Sequence, residues 1–439
     1  MQNKRSLNLF LTALTVVFGF LIIATPGFAA TKEKVLHSFS SSGTDGVSPH
    51  GGLIIDAARN LYGVTYEGGT YNYGTVFKLT PGTNSTWTET VLYSFNYNGT
   101  DGFYPTSSLI SDAAGNLYGT TWAGGTDNTC SGGCGTVFEL SPGTNGTWTE
   151  TVLYSFQNNG TDGNRSLASL IFDAAGNLYG TTSNGGAYNV GTVFKLTLGT
   201  NGTWTGNVLY SFTNGADGAY PNASLIFDKA GNLYGTTGGA GAGWGTVFKL
   251  SPGTNNTWTE TVLYSFNSTG GGTSLASLIV DKAGNLYGST YQGGAYNTCT
   301  SYGCGTVFEL TYSKGNWTEK ILHSFNNNGT DGFNPTANLI FDKAGNLYGT
   351  TSSGGAYNTC IGLYGCGTAF ELIPGLKGKW TEKILHSFDY NGKDGFAPSG
   401  GGLVFDKAGN LYGITGWGVN AYVTNCSESC GTVFQLTFK

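Results

Sequence analysis

Apolar residues in this chain come in short runs separated by polar, glycine-rich breaks. In one stretch of about fifty residues the runs are "SLIS" (108–111), "NLYGTT" (116–121), "GTVFELS" (135–141) and "ETVLYSF" (150–156). Each is rich in β-branched and aromatic residues and is bounded by Gly, Asn, Asp or Pro. That pattern predicts four strands rather than helices. The first two are joined by Asp-x-Ala-Gly-Asn, whose glycine can take a positive φ and whose aspartate can bond the turn's own backbone. The third and fourth are joined by "PGTNGTW" (142–148), again turn chemistry.

The four-strand pattern repeats. Its aspartate recurs at Asp56, Asp112, Asp173, Asp228, Asp281, Asp342 and Asp406, spaced by 56, 61, 55, 53, 61 and 64 residues. Four antiparallel strands per unit at such a period predict an all-β fold, a seven-bladed β-propeller. The ends are offset in the way a ring needs. "KEKVLHSF" (32–39) matches a fourth strand, and "GTVFQLTFK" (431–439) matches a third. The N-terminal strand is therefore expected to complete the last blade and remove the open edges. The blades are placed at about 50–95, 106–156, 167–212, 222–266, 275–325, 336–388, and 400–439 with 32–39. Trp87, Trp148, Trp204, Trp258, Trp317 and Trp380 each precede a fourth strand, where the N-terminal copy has Thr31.

The unit "SLIFDAAGNLYGTTSNGGAYNVGTVFKLT" (169–197) and its sisters resemble the GloVer tandem repeat of exported bacterial proteins. The strand order also resembles NHL-type propeller repeats. The resemblance covers nearly the whole chain after residue 30 and rests on the pairing of D-x-A-G-N-L-Y-G with G-T-V-F. It implies a secreted bacterial repeat protein, and it supplies no catalytic residues to carry over.

Composition adds a compartment. Lys4 and Arg5 open the chain, Leu7 to Ala24 form an apolar run, and Pro26 precedes Gly27-Phe28-Ala29. This predicts a signal peptide over 1–29, followed by the propeller over 30–439 with no further membrane span. Two of the 20 basic residues lie in the leader, so the remainder carries 18 against 26 acidic residues, a net −8. An acidic chain without a Lys/Arg cluster argues against nucleic acid or anionic membrane as partner. A secreted, periplasmic or cell-envelope location is expected, and a ring closed within one chain is expected to be a monomer.

Loops after the second and fourth strands should share one face of a propeller. From aspartate to the glycine of G-T-V-F the chain takes 18, 23, 18, 17, 24, 25 and 25 residues. The four longest cases hold all eight cysteines, as Cys130/Cys134, Cys299/Cys304, Cys360/Cys366 and Cys426/Cys430. In an exported chain these read as four local disulfides pinning inserted loops. Thiolate metal binding would need two further ligands per pair, and none lies nearby in sequence. The same face carries Trp122, Tyr104, Trp244, Tyr291, Tyr302, Tyr357, Tyr364, Trp417 and Tyr422 among Asn, Asp, Ser and Gly. Such a mixture suits stacking and hydrogen bonding to sugars, or a protein interface.

Little chemistry competes with that reading. His37, His323 and His386 occupy the fourth-strand position that holds Tyr93, Tyr154, Tyr210 and Tyr264 elsewhere. They are read as repeat variants rather than a constellation, and only His50 stands outside the pattern. The inner strands open on small residues, such as Gly51-Gly52, Ser107-Ser108 and Ala168-Ser169, which leaves no base, nucleophile or metal cage. No catalytic residue, metal ligand or cofactor is assigned. The "GTDG" aspartates could ligate calcium, but one carboxylate per loop is better explained by turn formation. The expected role is non-catalytic recognition or scaffolding through the aromatic, disulfide-pinned face, with an extracellular carbohydrate or protein as partner. The alternatives are a secreted lyase or hydrolase acting on a polysaccharide or lactone, and a passive surface or matrix protein.

Overall fold

The computed structural model describes residues 31–241, 243–360, 364–391, 393–398, 400–418 and 430–438. The expected leader, Tyr422 and Cys426 lie outside them. Seven antiparallel sheets, with no α-helix among the described residues, form a β-propeller. The first blade runs Gly46–Ile55, Leu61–Gly68, Thr75–Pro81, Trp87–Ser94 in spatial order. The last consists of Phe396–Pro398 with Val404–Phe405, then Leu411–Trp417, Thr432–Phe438 and, from the other end of the chain, Thr31–Ser38. Thr31 pairs with Phe438 and Ser38 with Thr432, so the ring closes as the offset ends require.

Each decapeptide is a hairpin held by its aspartate. Asp112 Oδ1 accepts from the backbone N–H groups of Ala114 and Asn116, both at 2.9 Å. Its Oδ2 accepts from the Asn116 side chain at 2.8 Å and from the Tyr118 hydroxyl at 3.2 Å. The same four bonds recur at the other six aspartates, so the repeated residues form one turn written seven times. Burial opposes ionisation of Asp112, but these donors outweigh it and hold the carboxyl below the usual range. Gly115 takes φ +86°, and Arg59 fills the equivalent position of the first blade at φ +69°.

The core lies between the blades. Third strands such as Thr136–Pro142 bury Val137, Phe138 and Leu140 completely, because both faces of each sheet meet a neighbour. Each seam is marked by an edge-to-face phenylalanine pair. Phe95–Phe138, Phe156–Phe194, Phe212–Phe248, Phe266–Phe308, Phe325–Phe370 and Phe388–Phe434 have centroids 5.0–5.3 Å apart. The seventh, Phe39–Phe77 at 5.0 Å, joins the N-terminal strand to the first blade. Edge-to-face geometry suits the ring quadrupoles. The glycine of "LYG" is fixed by this packing, since a Cβ on Gly119 would stand 2.6 Å from Phe138.

Inner strands begin earlier than the sequence pattern places them, at Gly46, Gly102 and Gly332 in the first, second and sixth blades. They are also interrupted or, in the first blade, shifted in register between His50 and Ile54. In the second blade Gly102–Pro105 and Ile110–Ser111 pair with the same second strand, and the small residues between them turn toward the axis. That break places the candidate site.

Candidate functional site

The residue at the start of each break has a left-handed backbone. Ser48, Tyr104, Arg165, Tyr220, Thr273, Asn334 and Ala397 all have φ between 51° and 58°. None is glycine, so each costs on the order of 1 kcal/mol or more of backbone strain. A recurring contact offsets it. Each of these N–H groups donates to a carbonyl of the preceding blade, at Cys430, Tyr73, Cys134, Val190, Trp244, Cys304 and Cys366 respectively, over 2.7–3.2 Å. The acceptor is always the residue before the glycine of the third strand. Disulfides Cys130–Cys134, Cys299–Cys304 and Cys360–Cys366 therefore pin the inserted loops directly onto this interblade latch. Cys430 is also disulfide-bonded.

Two residues further on, the chain lines a cavity of about 340 Å³ on the axis. It is lined by His50, Thr106, Leu167, Asn222, Leu275, Thr336 and Gly400, and by a second set, Ser108, Ser169, Ser224, Ser277 and Asn338. The second set ties neighbouring blades together by hydrogen bonds. Ser108 Oγ accepts from Gly52 N–H at 2.6 Å, Ser224 Oγ from Ser169 N–H at 2.9 Å, and Asn338 Oδ1 from Ser277 N–H at 2.7 Å. The expectation of small, uncharged inner-strand residues holds here. Asn222 Oδ1 and Thr336 Oγ1 are buried without a hydrogen-bond partner.

His50 is the one ionisable residue among those lining the cavity. Its Nδ1 lies 3.2 Å from the Thr106 carbonyl, which can only accept, so Nδ1 carries the proton and Nε2 the lone pair. Its ring is exposed to the mouth, but crowding by protein desolvates it. That lowers its pKa against the raising effect of the Thr106 bond.

The expected aromatic residues separate into two groups. Tyr104 itself, and Trp122 and Tyr291 through Arg165 and Asn334, belong to or touch the left-handed residues two positions before Thr106, Leu167 and Thr336 of the cavity wall. Tyr104 stacks on Tyr66 at 4.5 Å, and Tyr66 lies 5.9 Å from His50. Trp122 carries the Arg165 guanidinium 4.5 Å from its ring centre. The Tyr291 hydroxyl accepts from the Asn334 amide at 3.2 Å. The others are not brought to the axis. Trp244 packs between blades with Tyr302 against its edge, Trp417 stacks on buried Phe396 at 5.6 Å, and Tyr357 and Tyr364 are exposed on disulfide loops. Tyr66 joins the rim without having been singled out as a binding residue; its sequence signal was its place beside Trp122 and Tyr291 in the repeat.

A second set of sites was not legible as a set. The "GTDG" aspartates bind their own loops, as expected of turn residues. Asp101 Oδ2 accepts from the Asn96 N–H at 2.9 Å and the Tyr93 hydroxyl at 2.8 Å. Several also face the next blade, and there two of the histidines that replace the repeat tyrosine come together with carboxylates that the sequence pattern does not bring side by side. His323, Asp331 and Glu382 converge at one seam, and His386, Asp394 and Glu33 at the next. His323 Nε2 lies 3.2 Å from Asp331 and 3.6 Å from Glu382; His386 Nε2 lies 2.7 Å from Asp394. In two of the tyrosine-bearing seams, those of Tyr93 and Tyr210, the aspartate faces the same glutamate. Burial, then the charge of Asp101, raises Glu150 to about 8, and burial with Asp217 raises Glu260 to about 7.

No curated protein sequence matches the chain. Solved structures match in fold. The extracellular domain of B. thetaiotaomicron BT4673, named as a hybrid two component system, aligns over 94% of this chain and 42% of its own, at 13% identity and TM-score 0.55. The chain thus spans less than half the length of that structure. Pseudomonas fluorescens PhoX bound to vanadate aligns over 93% and 95% of the two chains (12% identity, TM-score 0.44), and the Streptococcus pneumoniae NanB sialidase over 92% and 70% (11%, 0.42). In sequence, residues 19–133, 126–361 and 243–439 match the Gloeobacter/Verrucomicrobia repeat, and since these spans take in every blade, the chain belongs to that repeat family.

Proposed function

We propose that this protein is an extracellular or envelope recognition protein without catalytic activity, and that its axial cavity takes a neutral, polyhydroxylated ligand such as a sugar unit. The observation that carries this is the cavity itself. It has the volume of a small-molecule site, and its largely apolar wall of Leu167, Leu275, Ala168 and Ala223 is set with hydroxyl and amide groups and one imidazole. Asn222 and Thr336 line it with polar side chains whose oxygens are buried and unpartnered, so a small side-chain rotation that brings them to a ligand gives up no hydrogen bond. Tyr66, Tyr104 and Trp122 give flat apolar surface beside it, held still by stacking, which lowers the entropy cost of binding. Three disulfides agree with an oxidising location, and no helix among the described residues is long and apolar enough to cross a membrane.

The test is a panel of neutral and acidic oligosaccharides screened by thermal shift and titration calorimetry. A neutral glycan should bind, and Asn222→Ala together with Trp122→Ala should weaken it tenfold or more. Undiminished binding in that variant would place the site elsewhere. His50, with a free Nε2, favours one second reading, a lyase or hydrolase using a lone general base. It predicts turnover of a polysaccharide or lactone that His50→Gln abolishes.

A further inference from the structure

The His–Asp–Glu clusters lie at the seams, away from the cavity, and serve no purpose in that function. We propose that two of them, His323/Asp331/Glu382 and Glu33/His386/Asp394, each bind one divalent transition-metal ion of the zinc class, clamping adjacent blades together. In each cluster the imidazole nitrogen and one oxygen of each carboxylate lie within 4.8 Å of one another. Ions of this class sit about 2.0–2.2 Å from N and O ligands, a reach that these groups meet with small side-chain shifts.

A second observation, shared in part by the tyrosine seams but joined to an imidazole only here, leaves room for a cation. Asp331 Oδ1, Asp394 Oδ1, Glu33 Oε1 and Glu382 Oε1 are all buried without a hydrogen-bond donor. The Asp331 and Asp394 side chains are each only 7% exposed. The Glu382 and Asp331 carboxyls meet each other, a contact that two carboxyls make only through a shared proton, and a divalent ion held also by the imidazole can take that proton's place. The histidines are 20% and 23% exposed, which leaves a solvent side for water to complete the coordination. One imidazole with two carboxylates suits zinc or its neighbours rather than calcium, which takes six to eight oxygens.

The repeat supplies its own controls. His37, Asp45 and Glu89 occupy the same three positions at the next seam, but they do not form such a cluster. There both Asp45 oxygens are already bonded, by Gly46 N–H at 2.8 Å and Ser40 N–H at 2.9 Å. In four other blades a tyrosine stands where the histidine is. Tyrosine is therefore a substitution the fold already accommodates, and it removes the nitrogen ligand.

The experiment uses the full chain, stripped with EDTA under non-reducing conditions and dialysed against zinc chloride. Bound metal is counted by mass spectrometry, and unfolding is followed with and without zinc. Wild type should hold two equivalents. His323→Tyr and His386→Tyr should each hold one, the double variant none, and His37→Tyr still two. Zinc should raise the unfolding temperature of the wild type and leave that of the double variant unchanged. Absence of stoichiometric zinc from the wild type, or two equivalents retained by the folded double variant, would overturn the proposal.

Discussion

The seven seams of this ring are built from one repeat, yet they differ on two sides of the molecule. On one side, three consecutive seams place His323, His386 and His37 against an aspartate; on the other, Tyr93, Tyr154 and Tyr210 take the same place. Tyrosine gives the aspartate a neutral donor and leaves the neighbouring glutamate to hold a proton. Histidine gives it a nitrogen that can be charged or bind a metal. Packing is nearly the same in both, with the same phenylalanine pair beneath. The difference shows that a blade repeat can keep its hydrophobic seam constant while its polar edge is varied one seam at a time.

The largest expected effect breaks the histidine side outright. Strand Thr31–Ser38 contributes Glu33 to one seam and His37 to the next, and Phe39 packs on Phe77. Deleting residues 30–40 exposes a sheet edge and a core ring, so a stable ring should be lost; an unchanged melting curve would refute closure by this strand.

Next comes a test within the tyrosine side. Asp162 accepts from the Tyr154 hydroxyl, the Gln157 N–H and the Gly163 N–H, and faces Gly206 where other blades have glutamate. Asp162→Ala should cost about 2–3 kcal/mol by urea unfolding. Asp101→Asn should cost less, because it also relieves the repulsion from Glu150.

The third expectation concerns pH. Glu150 and Glu260 have folded pKa values raised to about 8 and about 7 from 4.5. A raised carboxyl favours the folded state in its protonated form, so its contribution is complete below pH 4.5 and is lost as pH rises through 7 to 8. The melting temperature should fall from pH 5 to pH 8.5, and Glu150→Gln with Glu260→Gln should flatten that fall. Asp56, Asp112, Asp173, Asp228 and Asp406 are held below the usual carboxylate range and act in the opposite sense, losing their contribution as pH drops below 4. A melting temperature that rose steadily from pH 5 to pH 8.5 would contradict the assignment.

The smallest effect on stability is the sharpest on chemistry. Tyr93→His places an imidazole beside Asp101 and Glu150, whose Oδ1 and Oε1 are unpartnered like those of the histidine seams. It should change the melting temperature little and add a third zinc equivalent.

The blades were legible because their cause is local. Asp-x-Ala-Gly-Asn bonds within ten residues, the third strand is apolar on both faces, and the offset ends foretell closure at Thr31 and Phe438. The pairing of cysteines four to six residues apart was legible for the same reason. The rim was legible only in part. Tyr104, Trp122 and Tyr291 lie at or against the left-handed latch residues, whereas Trp244 and Trp417 were taken up by packing, because aromatic content alone does not say which side of a loop is filled.

By itself the sequence determined the repeat unit, its hairpins, the number of blades and the strand that seals them, all consequences of turn chemistry and strand patterning read along the chain. Only the tertiary structure decided the left-handed latch, the cavity and the seam clusters. Each of these joins residues from neighbouring blades, and the seam between Glu33 and Asp394 joins the two ends of the chain. Curvature brings such groups together in space, and no local pattern of the sequence records it.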